Sequence, residues 1–142
     1  MAVTGRCQCG AVRYRLATPP RRASICHCRM CQRATGSYFA PLANVALDDF
    51  EVTEGELAIY RSSSIAERGF CRDCGSPLTF RYTELPDISV TIGSLDSPDA
   101  VAPARQFGAE STTTHWHTLH LLPATTTEED MPPEWRAKLE NK

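Results

Sequence analysis

Seven cysteines stand in this 142-residue chain, and their spacing divides them into four and three. Cys7 and Cys9 form a C-x-C pair, Cys71 and Cys74 a C-x-x-C pair, and Cys26, Cys28 and Cys31 a C-x-C-x-x-C cluster. Two short pairs far apart in sequence can close one tetrahedral four-cysteine site, the usual form of a structural zinc. Three thiolates within six residues leave a fourth position open, the arrangement of a zinc that binds a substrate thiol or polarises an aldehyde oxygen. The residues therefore predict two zinc ions per chain. One is structural, on Cys7, Cys9, Cys71 and Cys74; the other is labile and catalytic, on Cys26, Cys28 and Cys31.

Other uses of these cysteines fit less well. An odd number cannot all pair as disulfides, and the opening MAVTGRCQCG lacks the apolar run of an export signal, so a reducing cytoplasmic setting is expected. A thioredoxin-like redox pair would enter a helix, whereas Gly75 and Pro77 after Cys74 signal a tight turn between strands, a zinc knuckle. In an extended strand residues i and i+2 share a face, so Cys7 and Cys9 are expected to aim both sulfurs at one ion while Gln8 points away. Beside the triple cluster, Arg29 and Arg33 would favour thiolates and draw in an anionic substrate. With Gln32 they are the candidate substrate-binding residues. His27 lies between two ligand positions and is expected to point the other way.

The elements that must position these groups read as mainly β. AVRYRL (11–16) alternates, with Val12, Tyr14 and Leu16 on one face. Further strands are expected at 37–42, 56–60, 76–82, 87–93 and 117–122, separated by Pro, Gly and Asp turn signals. One helical turn is expected after Cys28, stopped by Gly36, and a short helix in the C-terminal tail 125–142. The length suits a single domain, 1–142. With a net charge of −2 and no basic stripe, nucleic acid is not expected as a partner, and no apolar run is long enough to suggest a membrane span.

The runs GRCQCGAVRY, CHCRMCQRATGS, RGFCRDCGSPLTF and IGSLDSP, in that order, resemble the glutathione-dependent formaldehyde-activating (GFA-like) family, with all seven cysteines in place. Arg68, Gly93 and Asp96 also match its pattern. The resemblance implies coiled antiparallel sheets, related to those of methionine-R-sulfoxide reductases and clasped by the structural zinc on Cys7, Cys9, Cys71 and Cys74. It implies a labile catalytic zinc on Cys26, Cys28 and Cys31. It also implies carbon–sulfur lyase-like chemistry on small-molecule adducts of glutathione, or a similar thiol, with formaldehyde or another aldehyde. The sequence departs from the family's Pro-x-x-His motif: VAPARQFG places Gln106 and Phe107 there, and His115 and His117 flank Trp116 further on. A strand would put those two histidines on one face. Two alternatives stand beside the lyase. A methionine-R-sulfoxide reductase needs a late nucleophilic cysteine, and none follows Cys74. A non-catalytic zinc-binding or interaction module would need only the four-cysteine site, so zinc stoichiometry separates it from the enzyme.

Overall fold

Along Arg13–Leu16 (β2), Tyr14 and Leu16 alternate with Arg13 and Arg15; the computed structural model, which describes residues 2–139, buries the first pair and exposes the second. Val3–Arg6 (β1) and Phe50–Glu54 (β5) flank β2 in a three-stranded antiparallel sheet ordered β1-β2-β5. The other strands are Arg22–Cys26 (β3), Ala40–Ala46 (β4), Ala58–Arg61 (β6), Ala66–Phe70 (β7), Pro77–Tyr82 (β8), Asp87–Thr91 (β9) and Arg105–Phe107 (β10). They form a seven-stranded sheet ordered β10-β3-β4-β9-β8-β7-β6. Its neighbours run antiparallel except β10, which pairs parallel to β3. The mainly-β expectation holds, with that one parallel edge as a correction to an all-antiparallel reading.

The two sheets share one core. Ala43, Val45, Ile88, Val90 and Leu78 of the larger sheet pack in a single buried cluster with Tyr14 and Leu16 of the smaller. Each fully buried side chain of Val or Leu size contributes roughly 1.5–3 kcal/mol. Because side chains alternate along a strand, the other face of the larger sheet is free for different work. It carries Ser24 and Cys26 of β3 and Leu42 of β4, and register aligns Ser24 with Leu42. Further across, Ser89 of β9 pairs with Phe80 of β8, and Phe80 with Arg68 of β7.

The helix after Cys28 is Arg29–Thr35 (α1), and Gly36 ends it in the left-handed conformation with φ +66°. Two expected elements differ. Residues 117–122 are not a strand: Trp116–Leu121 is a 3-10 helix, and Leu121 and Leu122 remain exposed. The tail holds two single-turn helices, Thr127–Asp130 (α2) and Pro133–Arg136 (α3), instead of one; Met131 and Pro132 separate them, and residues 140–142 of the expected tail lie outside the described residues. No helix among the described residues is long and apolar enough to cross a membrane.

Candidate functional site

β1 ends at Arg6 and the chain turns at once, with the Gly10 N–H donating to the Cys7 carbonyl at 3.1 Å. The sulfurs of Cys7 and Cys9 therefore meet through a tight turn and not through the pleat of a strand, which corrects the sequence expectation. Cys71 and Cys74 make the second turn, where the Gly75 N–H donates to the Cys71 carbonyl at 2.8 Å and Gly75 has φ +78°. The four sulfurs all lie within 4.8 Å of one another. Cys9 Sγ is 3.6 Å from Cys7 Sγ and 3.8 Å from Cys71 Sγ. A tetrahedron with Zn–S legs of about 2.3 Å has edges of about 3.8 Å, so this donor set fits a zinc ion. The Ser76 hydroxyl, 3.2 Å away, leads the effects that lower the Cys74 thiol to about 6. At Cys9 the Ala11 backbone pulls downward, but burial and the neighbouring sulfurs win and push the thiol up to about 12. Sulfurs this close cannot all ionise beside one another unless a cation sits among them.

The second cluster is built by the junction of β3 and α1. Cys26 closes β3, and Cys28 caps the N-terminus of α1, its sulfur accepting the Cys31 N–H at 3.3 Å. The sulfurs of Cys26, Cys28 and Cys31 also lie within 4.8 Å of one another. Burial pushes Cys26 up to about 12. Burial also raises Cys31, against the pull of Arg68. At Cys28 burial acts upward but is outweighed by hydrogen bonds from the Cys31 N–H and the neighbouring sulfurs, so this thiol is lowered. Three soft donors in such a nest fit a zinc ion with one coordination position left over. All three cysteines line a cavity of about 390 Å³ on the open face of the seven-stranded sheet.

Two metal-competent cysteine clusters, one of them facing a cavity, are the setting for the comparison with known proteins. The sequence profile of the glutathione-dependent formaldehyde-activating enzyme family matches residues 2–111. The chain belongs to this family. A Schizosaccharomyces pombe protein named an uncharacterized lyase is 38% identical over 80 residues, covering 56% of this chain and 57% of its own. The chain thus spans little more than half the length of that relative. A Halomonas elongata protein, provisionally named a glutathione-dependent formaldehyde-activating enzyme, is 31% identical over 113 residues, covering 72% of this chain and 71% of its own. The crystal structure of a Rhodobacter sphaeroides protein superposes with a TM-score of 0.59 at 27% identity, over 72% of this chain and 98% of that one.

Within this GFA framework the polar neighbours of the triple cluster divide. Arg33 is exposed and lines a second cavity, of about 490 Å³, which shares Met30, Ser62, Arg68 and Phe80 with the first. Arg29 is exposed and donates to Gln32 Oε1. Gln32 itself is buried, its amide nitrogen donating to the carbonyls of His27 at 2.7 Å and Ser111 at 3.0 Å. Its hydrogen bonds are spent inside the protein, so it clamps α1 to the loop after β10 and is not on the cavity wall. His27 turns away from the cysteines as expected: its ring is fully buried, edge-on to Trp116, and Nε2 pairs with Gln106 Oε1 at 2.8 Å. Gln106 thus serves as the partner of His27. His115 and His117 are exposed and share no strand.

Arg68 is the residue whose place in the site sequence reasoning did not find. It was visible only as part of the family pattern before Cys71. Its Nη2 lies 3.6 Å from Cys31 Sγ, its Nε donates to Ser62 Oγ at 3.1 Å, and its guanidinium stacks 4.7 Å above Phe80. It is a fixed cation at the edge of the cysteine cluster, in the wall shared by both cavities. Gly108 was missed as well. With φ +62° it lets the loop after β10 press against the Cys28 backbone, where a Cβ would come within 2.7 Å of the Cys28 nitrogen.

Proposed function

We propose that this protein is a zinc-dependent carbon–sulfur lyase-like enzyme acting on adducts of a small thiol, glutathione foremost, with formaldehyde or another aldehyde. The observation that carries this reading is the three-sulfur cluster of Cys26, Cys28 and Cys31 opening onto a cavity. A zinc ion held there would supply a Lewis-acidic position for a thiolate or a carbonyl oxygen. In the bond-forming direction the thiol sulfur joins the carbonyl carbon, and the proton given up by the thiol ends on the carbonyl oxygen. The reverse breaks the same C–S bond and returns the proton to sulfur.

The chain's own groups have definite tasks in this scheme. Arg68 holds positive charge beside Cys31 and towards the cavity, where negative charge develops on sulfur or oxygen. The stack on Phe80 and the bond to Ser62 fix its direction, so little reorganisation is needed during reaction. Arg33 lines the adjoining cavity, and in this reading it binds a carboxylate of the thiol. The site formed by Cys7, Cys9, Cys71 and Cys74 ties the end of β1 to the hairpin of β7 and β8, and so holds the wall that carries Arg68 and Phe80.

The test is kinetic and metal-analytical together. Cys28→Ser is expected to abolish turnover of a thiol–aldehyde adduct and lower bound zinc by one ion, while the fold and the four-cysteine site survive. Wild-type protein loaded with two zinc ions that turns over no low-molecular-weight thiol adduct would refute the reading and leave a zinc-binding module in its place.

A further inference from the structure

We propose that the cavity beside Cys26, Cys28 and Cys31 selects adducts whose carbonyl-derived part is a ring-sized apolar group, not the single carbon of formaldehyde. The inference rests on the reading that thiol adducts are the substrates, and it names which adducts they are.

Size is the first argument. The cavity measures about 390 Å³, within the range of sites that enclose a small organic ligand. The hydroxymethyl group that formaldehyde contributes has two heavy atoms, each about the size of a water, whose share of liquid volume is about 30 Å³. Such a group needs no wall beyond the cysteines themselves.

The second argument is the chemistry of the wall. Phe80 and Tyr82 reach it from β8, Phe107 from β10, Met30 from α1, and Ile65 from the turn before β7. Tyr82 is 45% exposed, Phe107 47%, Ile65 51% and Met30 59%. Four large apolar side chains left in water around one concavity cost free energy until something covers them. The three thiols inside the same cavity indicate that the cover is the reacting small molecule.

Charge is the third. Among the described residues Arg68 is the one charged side chain in this wall besides the thiols, and its Nε and Nη2 serve Ser62 and Cys31. Among those residues the wall holds no carboxylate for an ammonium group and no second cation for a further carboxylate. The aromatic surface continues into an adjoining cavity of about 230 Å³, which shares Phe80, Tyr82 and Phe107 with the first. There Arg22 and Arg81 are paired with Asp87 and Glu67, and Arg105 lays its guanidinium over the Phe107 ring at 5.2 Å. On the other side Arg33 lines the cavity of about 490 Å³, so the peptide part of a glutathione adduct is assigned to Arg33 and the carbonyl-derived part to the rings.

Calorimetric titration of zinc-loaded protein with two unreactive thioethers, S-methylglutathione and S-benzylglutathione, tests this without requiring turnover. S-benzylglutathione is expected to bind at least about tenfold more tightly. Phe107→Ala, on an edge strand whose backbone pairing it keeps, should cut that ratio to within about threefold, and Ile65→Ser should reduce it independently. Equal affinity, tighter binding of the methyl compound, binding of neither, or a ratio that both variants leave intact would overturn the proposal. The two readings fail separately. A benzyl preference in a protein that turns over no thiol–aldehyde adduct keeps this inference and removes the lyase. Efficient turnover of the formaldehyde adduct with no benzyl preference does the reverse.

Discussion

Replacing Gly108 by alanine perturbs the three-cysteine cluster without touching a ligand. Gly108 has φ +62°, and an added Cβ would lie 2.7 Å from the Cys28 nitrogen and 3.1 Å from its Cα. A non-glycine residue in that conformation costs about 1–2 kcal/mol. The contact adds a second cost, because backbone atoms cannot swing aside as a side-chain tip does; overpacking of this kind costs about 1–3 kcal/mol. The loop has little room to retreat. The His27 N–H donates to the Phe107 carbonyl at 2.8 Å, and Gln32 donates to the Ser111 carbonyl at 3.0 Å, so both sides of Gly108 are tied down. The displacement passes to Cys28. Gly36→Ala is the matched control, since Gly36 has φ +66° but nothing within 4 Å of the added carbon. It incurs only the conformational cost. Gly108→Ala is therefore expected to melt about 3–10 °C below Gly36→Ala. It should also release the ion of the three-cysteine site at a chelator concentration at least about tenfold lower, a difference of about 1.4 kcal/mol or more. Zinc content after dialysis against a graded chelator, read beside the melting curve, measures both. If the two variants match in melting temperature and zinc retention, the loop after β10 does not shape this cluster.

Cys71→Ser should lower zinc content and melting temperature together, the latter by more than about 10 °C, because binding free energy at a structural site is folding free energy; atomic absorption and calorimetry on one sample check it. Arg33→Ala should raise KM several-fold for an anionic thiol adduct and leave kcat nearly unchanged, as loss of binding common to ground and transition states does; a fall in kcat at constant KM would place Arg33 in the chemistry. Burial, opposed by the Ser94 hydroxyl and helped by Asp96, raises the Tyr14 phenol from 10 to about 12. The folded state thus holds this proton more tightly than the unfolded chain, so the stabilisation is complete below pH 10 and is lost as pH rises through 12. Two units correspond to about 2.7 kcal/mol at most. Urea unfolding between pH 9 and about pH 12 should therefore show a steeper alkaline loss in wild type than in Tyr14→Phe, and parallel curves would disprove it.

What the sequence made legible follows from where each constraint acts. Metal ligation is a local constraint on spacing, so the division of seven cysteines into four and three was readable, and the structure assembles both groups. The route was not readable at Cys7 and Cys9. A C-x-C pair converges from a strand or from a turn, and only the Gly10 bond back to Cys7 decides for the turn. Strands were visible where the core demands alternation, as in β2 with Tyr14 and Leu16. β3 and β7 were invisible because their open faces carry the site. Arg22, Ser24 and Cys26 in one, and Arg68 in the other, break the apolar pattern that would have announced a strand. The segment 117–122 failed in the opposite sense. Its leucines and Thr118 suggest a strand, yet among the described residues it pairs with none, and it is held instead by Trp116 against His27 and Phe39.

Arg68 shows why a site is harder to read than its ligands. It reaches Cys31 across 37 residues of sequence, a distance no spacing rule spans. Two long-range arrangements must both hold for that contact. β7 must pair with β8 so that Arg68 stands opposite Phe80, and α1 must lie over the open sheet face so that Cys31 meets the guanidinium. The register of the β7–β8 hairpin is fixed beside the C-x-x-C turn, because Cys71 follows β7 directly and Pro77 opens β8. An ion bound by Cys7, Cys9, Cys71 and Cys74 would thus act beyond its own four ligands. By pinning the base of that hairpin it would set where Arg68 stands, three residues before Cys71, and through Arg68 the charge that the other cluster meets.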